Sequence, residues 1–279
     1  MPFDGPQRAL DVARQQALWR GPHRWASADG RHLHGVGLTL IHRSDGFGKG
    51  GPSDCRMELA LAADDHACRS STLPHGSEDE FVSAMMPVLN PAGVQDILDL
   101  GLVGWAMSRY TGRWIGFKTI AETVESSASV DVNPFARRII LPEDFEMPAA
   151  GLNIRWPDPP LEQEMRLHRY AVKAAQAFAR ANGIDRVVMD SPRARLGIVT
   201  TGKSYLDVLQ ALEYLGLDET ACRDIGIRVY KVGMTWPLEP QGIARFAQGL
   251  EDIIVVEEKR AFIERQMKEQ FFNWPASWG

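Results

Sequence analysis

The sequence predicts an α/β fold, and three features of the chain support this class. Apolar runs of strand length alternate with segments in which apolar residues recur at helical spacing, first over residues 56–132 and again after residue 193. Glycines and polar turns follow the strand-length runs. Between the two regions, from Asn133 to Pro160, six prolines interrupt any periodic pattern. We therefore expect two α/β units joined by a proline-rich segment.

The first region has the pattern of a strand, a helix and a strand. Residues 57–63 are a short apolar run that ends in a polar stretch, and residues 87–89 are a second run. Pro91 suits the first turn of the helix that follows. Residues 113–120 are the next predicted strand, and short connections of this kind are typical of a parallel sheet. We expect these apolar residues of the helix to face the core: Val94, Ile97, Leu98, Leu102, Trp105 and Ala106.

A long amphipathic helix over residues 161–183 precedes the second region, and Gly183 lies where a C-terminal cap glycine belongs. Its apolar face consists of Leu167, Tyr170, Ala171, Ala174 and Phe178. Three strand–helix repeats follow. They predict a second, small α/β unit from about Arg193 to Trp274.

Composition excludes several classes of protein. The 279 residues are 44% hydrophobic and 24% charged with a net charge of -5, and the basic residues form no stripe, so we expect no nucleic-acid partner. No apolar run reaches the roughly 18 residues that span a membrane. The amino terminus has no signal-peptide pattern, which predicts a cytoplasmic protein. Cys55, Cys68 and Cys222 are widely spaced, which predicts reduced thiols.

Residues 197–204 match the phosphate-binding P-loop pattern GxxxxGKS. A P-loop requires an apolar strand before its first glycine. Here the polar residues DSPRARL precede Gly197, and the apolar Ile198 and Val199 lie inside the supposed loop, so we do not expect nucleotide hydrolysis. Residues 200–204 still form a polar turn between a strand and a helix, where ligands bind in open α/β sheets. The turn either holds an anionic group or only begins the helix.

A polar loop after the first strand contains Asp64, Asp65, His66, Arg69, Ser70 and Ser71. Carboxylates and imidazole suit a divalent metal, but their spacing matches no zinc pattern. A Ser/His/Asp nucleophile would lack its GxSxG turn. The loop is therefore either a substrate-facing surface that hydrogen-bonds a carboxylate and a carbonyl, or a solvated loop with capping turns.

Two glutamates, Glu122 and Glu125, follow the strand at residues 113–120. Paired carboxylates can transfer protons between them and a substrate. Residues of this type more often cap a helix or face water. Both interpretations stay open.

Long stretches of the chain resemble the large, fused indolepyruvate:ferredoxin oxidoreductases of bacteria. The resemblance runs from about Leu59 to Pro275. Seven stretches carry the resemblance, and they occur in the same order as in the family: ADDHACRSSTLPH, MPVLNPAGVQDILDLGLVGWAMSRY, WIGFKTIAETVESSASV, GLNIRWPDPPLEQEMRLH, ARLGIVTTGKSYLDVLQAL, IRVYKVGMTWPLEP and VVEEKRAFIE.

The resemblance implies a partial thiamine-diphosphate enzyme of the 2-oxoacid:ferredoxin oxidoreductase superfamily. Residues 1–55 would be an unmatched, poorly ordered leader. Residues 56–132 would be a remnant of the pyrimidine-binding domain, with the loop Asp64–Ser71 near the substrate. Residues 133–192 would be a linker and long helix. Residues 193–275 would be a domain similar to the C-terminal domain of transketolase.

In this family thiamine diphosphate adds to the 2-oxo carbon, decarboxylation follows, and electrons pass through iron–sulfur clusters to ferredoxin as coenzyme A takes the acyl group. The sequence lacks the GDG motif with its downstream asparagine, a cysteine cluster and a recognisable pyrimidine-contacting glutamate. We therefore expect the magnesium and [4Fe-4S] sites outside this chain. We also expect a chain that is inactive alone and that requires a complementary subunit or self-association.

Overall fold

The computed structural model describes residues 24–26, 33–35, 59–64, 76–133, 137–155 and 157–272. The chain forms two compact units, residues 1–53 and residues 54–279. In the first unit, strand β1 (Arg24–Ala26) pairs antiparallel with β2 (Leu33–Gly35). The rest of the predicted leader lies outside the described residues.

The second unit contains two four-stranded sheets. The first sheet has the order β3-β5-β4-β9, with β3 at Leu59–Asp64, β4 at Val88–Leu89, β5 at Ile115–Ile120 and β9 at Met234–Trp236. Strands β3 and β4 lie parallel to β5, whereas β9 lies antiparallel to β4. The first sheet therefore takes one strand from the second half of the chain.

Three helices accompany the first sheet: α1 (Glu78–Ser83), α2 (Val94–Thr111) and α3 (Ala121–Val124). Helix α2 begins after Gly93, slightly later than Pro91 suggested. The prediction of its buried face was wrong for Leu98, Leu102 and Trp105, which are 42%, 45% and 41% exposed, whereas Ile97 and Ala106 pack partly buried against the core. The buried residues are Leu100, Val103, Gly104, Met107, Ser108 and Thr111.

A small residue explains which face of α2 is buried. A Cβ atom at Gly104 would lie 3.0 Å from Leu59 Cδ1 and 3.1 Å from Leu89 Cδ1, so the helix approaches the sheet closely at this glycine. Because α2 carries apolar residues nearly all around, its periodicity alone does not identify the face that packs.

The segment between the sheets matches its prediction in outline. Within residues 137–155 and 157–159 the structure contains neither helix nor strand, and the predicted long helix consists of α4 (Pro160–Arg166), a π turn (Leu167–Ala171) and α5 (Val172–Ala181). Ala171, Ala174 and Phe178 are buried as expected. Gly183, at φ +57°, follows the helix end, where a left-handed conformation favours glycine.

The second sheet has the order β10-β7-β8-β6, with β6 at Arg186–Met189, β7 at Leu196–Thr201, β8 at Ile227–Val232 and β10 at Asp252–Val256. All neighbours are parallel except β6 and β8. Its helices are α6 (Gly202–Tyr214), α7 (Glu219–Ile225), α8 (Pro240–Ala247) and α9 (Ile263–Phe271). The three predicted strand–helix repeats are confirmed, but the sequence analysis missed β6, β9, α1 and α7.

Two mainly parallel sheets with flanking helices confirm the predicted α/β class. Among the described residues, no helix has both the length and the apolar character that crossing a membrane requires.

One buried ion pair connects the two sheets. Lys231 of β8 is 5% exposed, and its Nζ donates to Asp96 Oδ2 of α2 at 2.5 Å. The Lys231 ammonium also lies 4.7 Å from the ring centre of Tyr205 in α6. Asp96 Oδ2 accepts a second hydrogen bond from Ala92 N at 2.9 Å, at the start of α2. This contact therefore fixes α2 against the second sheet.

Candidate functional site

A cleft of about 430 Å³ opens where strands of both sheets end. Its walls include Asn90, which follows β4, Ile120 at the end of β5 and Thr201 at the end of β7. Ligands in parallel α/β proteins bind at the carboxyl ends of strands. This cleft is therefore the candidate site.

A buried lysine lies in one wall of the cleft. Lys118 of β5 is 2% exposed, and its Nζ forms an ion pair with Glu78 Oε1 in the first turn of α1. A buried ammonium group requires such a partner, because removing an unpaired charge from water is costly. The pair places one cation and one carboxylate at the end of the central strand of the first sheet.

The turn at residues 200–204 joins the two sheets. Asn90 Nδ2 donates to Thr201 Oγ1 at 3.4 Å, and Thr201 Oγ1 donates to the carbonyl of Val232 at 2.8 Å. Gly202 has φ +52°, and a Cβ atom there would lie 2.6 Å from Asn90 Nδ2. The glycine of the GKS sequence is therefore required for packing against Asn90 and for its positive φ.

A third wall is formed by residues 257–260 after β10. The Glu257 carboxylate accepts hydrogen bonds from Ile263 N at 2.7 Å and Glu264 N at 3.2 Å, which caps α9. The cleft as a whole contains cations and carboxylates in similar number: Lys118, Lys203, Lys259 and Arg260 against Glu78, Asp79, Glu80, Glu257 and Glu258. Its field is thus not strongly positive.

The structure confirms that the GxxxxGKS match is not a P-loop. Strand β7 includes Gly197 and continues to Thr201, so the strand lies inside the matched pattern, and α6 begins at Gly202. Lys203 forms an ion pair with Asp207 one turn further along α6. The residues that would wrap a phosphate are instead part of the sheet.

We expect ATP to bind no better than other anions, because the loop that would cradle its phosphates is a strand. Isothermal titration calorimetry of the full chain with ATP and magnesium, compared with inorganic sulfate, measures this. The Lys203→Ala variant should give the same heats as the native chain. A micromolar, magnesium-dependent ATP affinity that Lys203→Ala abolishes would contradict this prediction.

The predicted polar loop is only partly described. Asp64 ends β3, is 4% exposed and accepts hydrogen bonds from Ser77 N at 2.8 Å and Ser77 Oγ at 2.6 Å. The two ends of the loop over residues 65–75 are thereby held together, next to Gly76 and Glu78 of the cleft wall. The other predicted site residues lie outside the described residues: Asp65, His66, Arg69, Ser70 and Ser71.

The two predicted glutamates lie outside the cleft, whereas the residues that the sequence analysis missed line it. Glu122 is half-buried, Glu125 is exposed, and neither lines the cleft. Sequence reasoning missed Lys118, Asn90 and residues 257–260. The sequence did indicate Lys118, because a lysine within the apolar run IGFKTI needs a charged partner when the strand is buried.

The described residues do not fit a magnesium–diphosphate site or an iron–sulfur cluster. None of their His, Cys, Asp and Glu side chains form a group of three or more that could hold a metal ion. In the cleft, Glu78 is paired with Lys118 and Glu257 caps α9. Cys222 is buried in α7, and burial raises the pKa of its thiol. A cluster requires several thiolates together.

The sequence is similar to those of indolepyruvate oxidoreductases. The sequence profile described as the indolepyruvate oxidoreductase domain matches residues 186–277. An indolepyruvate oxidoreductase subunit IorA of Methanothermobacter marburgensis is 28% identical over 243 residues, which are 83% of this chain and 36% of that protein. The corresponding subunit of Pyrococcus abyssi is 25% identical over 221 residues, covering 77% of this chain and 32% of that protein.

A solved structure is also similar. It is the 2-oxoglutarate:ferredoxin oxidoreductase from Magnetococcus marinus with 2-oxoglutarate, coenzyme A and succinyl-CoA bound, at 13% identity and a TM-score of 0.49. The match covers 76% of this chain and 43% of that chain.

Fold and cleft define an α/β protein with a ligand-sized site at the strand ends. By sequence, residues 186–277 match the indolepyruvate oxidoreductase domain, and most of the chain is similar to the IorA subunits named above. The chain spans about a third of the length of the curated relatives it matches, 32% and 36% for the two named above.

Proposed function

We propose that this chain is part of a 2-oxoacid:ferredoxin oxidoreductase that converts aryl 2-oxoacids such as indolepyruvate to acyl-CoA. The observation that carries the proposal is the sequence match, which covers residues 186–277 with the domain profile and 83% of the chain with one IorA subunit. The two sheets, with a cleft at their strand ends, support it. The enzyme would act in the cytoplasm.

The domain roles form part of the proposal. Residues 56–132 would be the remnant of a domain that binds the thiamine pyrimidine, and residues 193–275 the transketolase C-terminal-like domain, with the proline-rich segment and long helix between them. Residues 56–132 contain three strands of the first sheet (β3, β4 and β5), and residues 193–275 contain three strands of the second (β7, β8 and β10). Strand β6 precedes the second domain, and β9 belongs to the first sheet.

The loop from Asp64 to Ser71 would face the substrate. The hydrogen bonds between Asp64 and Ser77 bring the loop ends together at the wall that carries Glu78 and Lys118. The loop offers an imidazole (His66), a guanidinium group (Arg69) and two hydroxyl groups, which can bind the carboxylate and carbonyl of a 2-oxoacid.

The remaining chemistry would come from outside this chain. Thiamine diphosphate would supply the carbanion chemistry, and magnesium, [4Fe-4S] clusters, ferredoxin and coenzyme A would complete the reaction. Among the described residues, no group of three or more His, Cys, Asp and Glu side chains could hold a metal ion. A complementary subunit or a self-associated form would hold the metal and the clusters.

The purified chain should not reduce a viologen dye with indolepyruvate when thiamine diphosphate, magnesium and coenzyme A are present, because electrons would have no cluster to enter. Mixing it with a cluster-containing partner subunit should restore indolepyruvate-dependent reduction. Activity of the chain alone would contradict the proposal that the metal and cluster sites lie outside this chain. No activity in any mixture would contradict the proposed function itself.

Loop variants locate the substrate site in the active mixture. Arg69→Gln should lower kcat/KM for indolepyruvate by roughly tenfold or more, because it removes a charge-assisted hydrogen bond to the substrate carboxylate. Arg195→Gln is the matched control, since Arg195 is an exposed arginine paired with Glu251 away from the cleft. Equal losses in both variants would contradict a substrate role for the loop.

The alternative is an independent small α/β protein that binds an anionic metabolite or nucleotide at residues 200–204. The balanced charges of the cleft and the pairing of Lys203 with Asp207 disfavour it. The ATP and sulfate titrations described above test it directly.

A further inference from the structure

A second recess, of about 290 Å³, lies between β8 and helix α8 and shares no lining residue with the cleft. Its walls include Asp185, Arg228, Tyr230, Gly242, Arg245 and Phe246. Nothing in the proposed reaction uses these residues. They nonetheless combine deep burial with unpaired polar atoms.

Tyr230 has a buried hydroxyl group without a partner. The residue is 2% exposed, and its Oη has no hydrogen-bond partner within the part of the chain that the structure describes. Gly242 permits the hydroxyl to lie close to its backbone, since a Cβ atom there would collide with Tyr230 Oη. Buried tyrosine hydroxyls normally find a partner, because an unsatisfied donor is costly. The hydroxyl therefore lies in the wall of the recess with its donor unused among the described residues.

The Tyr230 hydroxyl is a hydrogen-bond donor at neutral pH. Burial, followed by the carboxyl groups of Asp185 and Glu239, raises the pKa of Tyr230 well above its ordinary value. The charge of Arg245, which also lines the recess, acts in the opposite direction. A protonated phenol beside a cation favours a negatively charged ligand.

Two arginines provide further donors. The Arg228 side chain is held by Asp190 Oδ1 at 2.6 Å and by the carbonyls of Phe246 and Gln248 at 2.9 and 3.2 Å. These contacts use Nε and Nη1, and Nη2 has no partner within the described ranges. Arg245 is exposed and likewise forms no ion pair with another described residue. Arginine is the side chain best suited to carboxylate and phosphate groups.

Nearby carboxyl groups do not prevent anion binding. Glu239 is 2% exposed and is neutralised by Arg180 at 2.5 Å and by the first amides of α8. Asp185 Oδ1 accepts hydrogen bonds from Gly233 N and Met234 N, both at 2.8 Å, whereas Oδ2 has no partner among described residues. Burial raises the pKa of Asp185 to about 7, so a large fraction of this group is a neutral donor near neutral pH.

We propose that this recess binds a small anion through its carboxylate or phosphate group, held by the Tyr230 hydroxyl and by the guanidinium groups of Arg228 and Arg245. A cation would meet two arginines, and a purely apolar ligand would leave the Tyr230 hydroxyl unpaired. The site is independent of the proposed oxidoreductase activity.

Isothermal titration calorimetry of the full chain at pH 7, with inorganic phosphate and separately with acetate, tests the proposal. We expect saturable one-to-one binding of at least one anion, and the preferred anion identifies the phosphate or the carboxylate class. Tyr230→Phe and Arg245→Gln should each weaken binding by about tenfold, because each removes a donor to a charged group. Asp185→Asn should bind at least as tightly as the native chain.

Arg195→Gln is the control, since it changes net charge equally but lies outside the recess. Tyr230→Phe removes one unpaired oxygen and should keep the urea midpoint of the native chain, and the exposed Arg245 provides a variant that does not disturb the core. The proposal is overturned if neither anion gives saturable heat, or if Arg195→Gln weakens binding as much as Arg245→Gln. It is also overturned if both Tyr230→Phe and Arg245→Gln bind as the native chain does.

Discussion

Asp96→Ala should lower the free energy of unfolding by about 3 kcal/mol, because it leaves the buried Lys231 ammonium without its carboxylate. Lys231 is 5% exposed, and burial lowers the pKa of its amino group, so the charged form depends on Asp96. The substitution also removes the acceptor for Ala92 N at the start of α2. Urea unfolding followed by circular dichroism measures the change.

A second substitution separates the ion pair from other effects of Asp96. Lys231→Met replaces the ammonium with an apolar side chain, so the double variant Asp96→Ala/Lys231→Met should be clearly more stable than the sum of the single changes predicts. The exposed pair Arg195–Glu251, whose side chains are 69% and 58% exposed, is the matched control and should contribute little. If Asp96→Ala shifts unfolding no more than Arg195→Gln does, the pair does not connect the sheets.

Phe178→Ala should destabilise the chain by about 3–5 kcal/mol, because it opens a cavity in a closed core. The Phe178 side chain is fully buried in one cluster with Leu89, Met107 and Ile115, and its ring centre lies 5.5 Å from that of Tyr110. Through this cluster α5, which follows the proline-rich segment, packs against α2 and the first sheet. Phe178 thus contributes to the core of a region that precedes it by many residues.

The control for Phe178→Ala is Tyr214→Ala, since Tyr214 is 82% exposed and should change stability by no more than about 0.5 kcal/mol. Both variants are measured by the same urea titration. A Phe178→Ala loss below about 1 kcal/mol would mean that the core around α5 collapses to fill the cavity.

Local pattern was enough to predict much of this fold. Apolar runs identified β3, β5, β7, β8 and β10, and the helical spacing of Ala171, Ala174 and Phe178 predicted their burial. The position of the strand within GxxxxGKS also followed from Ile198 and Val199. Each of these features depends on residues that are close together along the chain, so it can be predicted from a single sequence.

Long-range contacts could not be predicted in this way. The three-residue strand β9 is defined by its pairing with β4, which lies in the other half of the chain, and no period reveals such a pairing. The face of α2 was misjudged because Gly104, which contributes no apolar side chain, marks the closest approach to the sheet. The cleft depends on Lys118, Asn90 and residues 257–260, which come together only in the fold.

The origin of β9 has a consequence for synthesis on the ribosome. The other three strands of the first sheet are complete by Ile120, but the sheet receives its fourth strand only once Trp236 has emerged. Until then β4 has an open edge, a surface that pairs readily with other chains. Splitting the gene at the proline-rich segment would therefore produce an amino-terminal fragment with this edge permanently exposed and prone to aggregate.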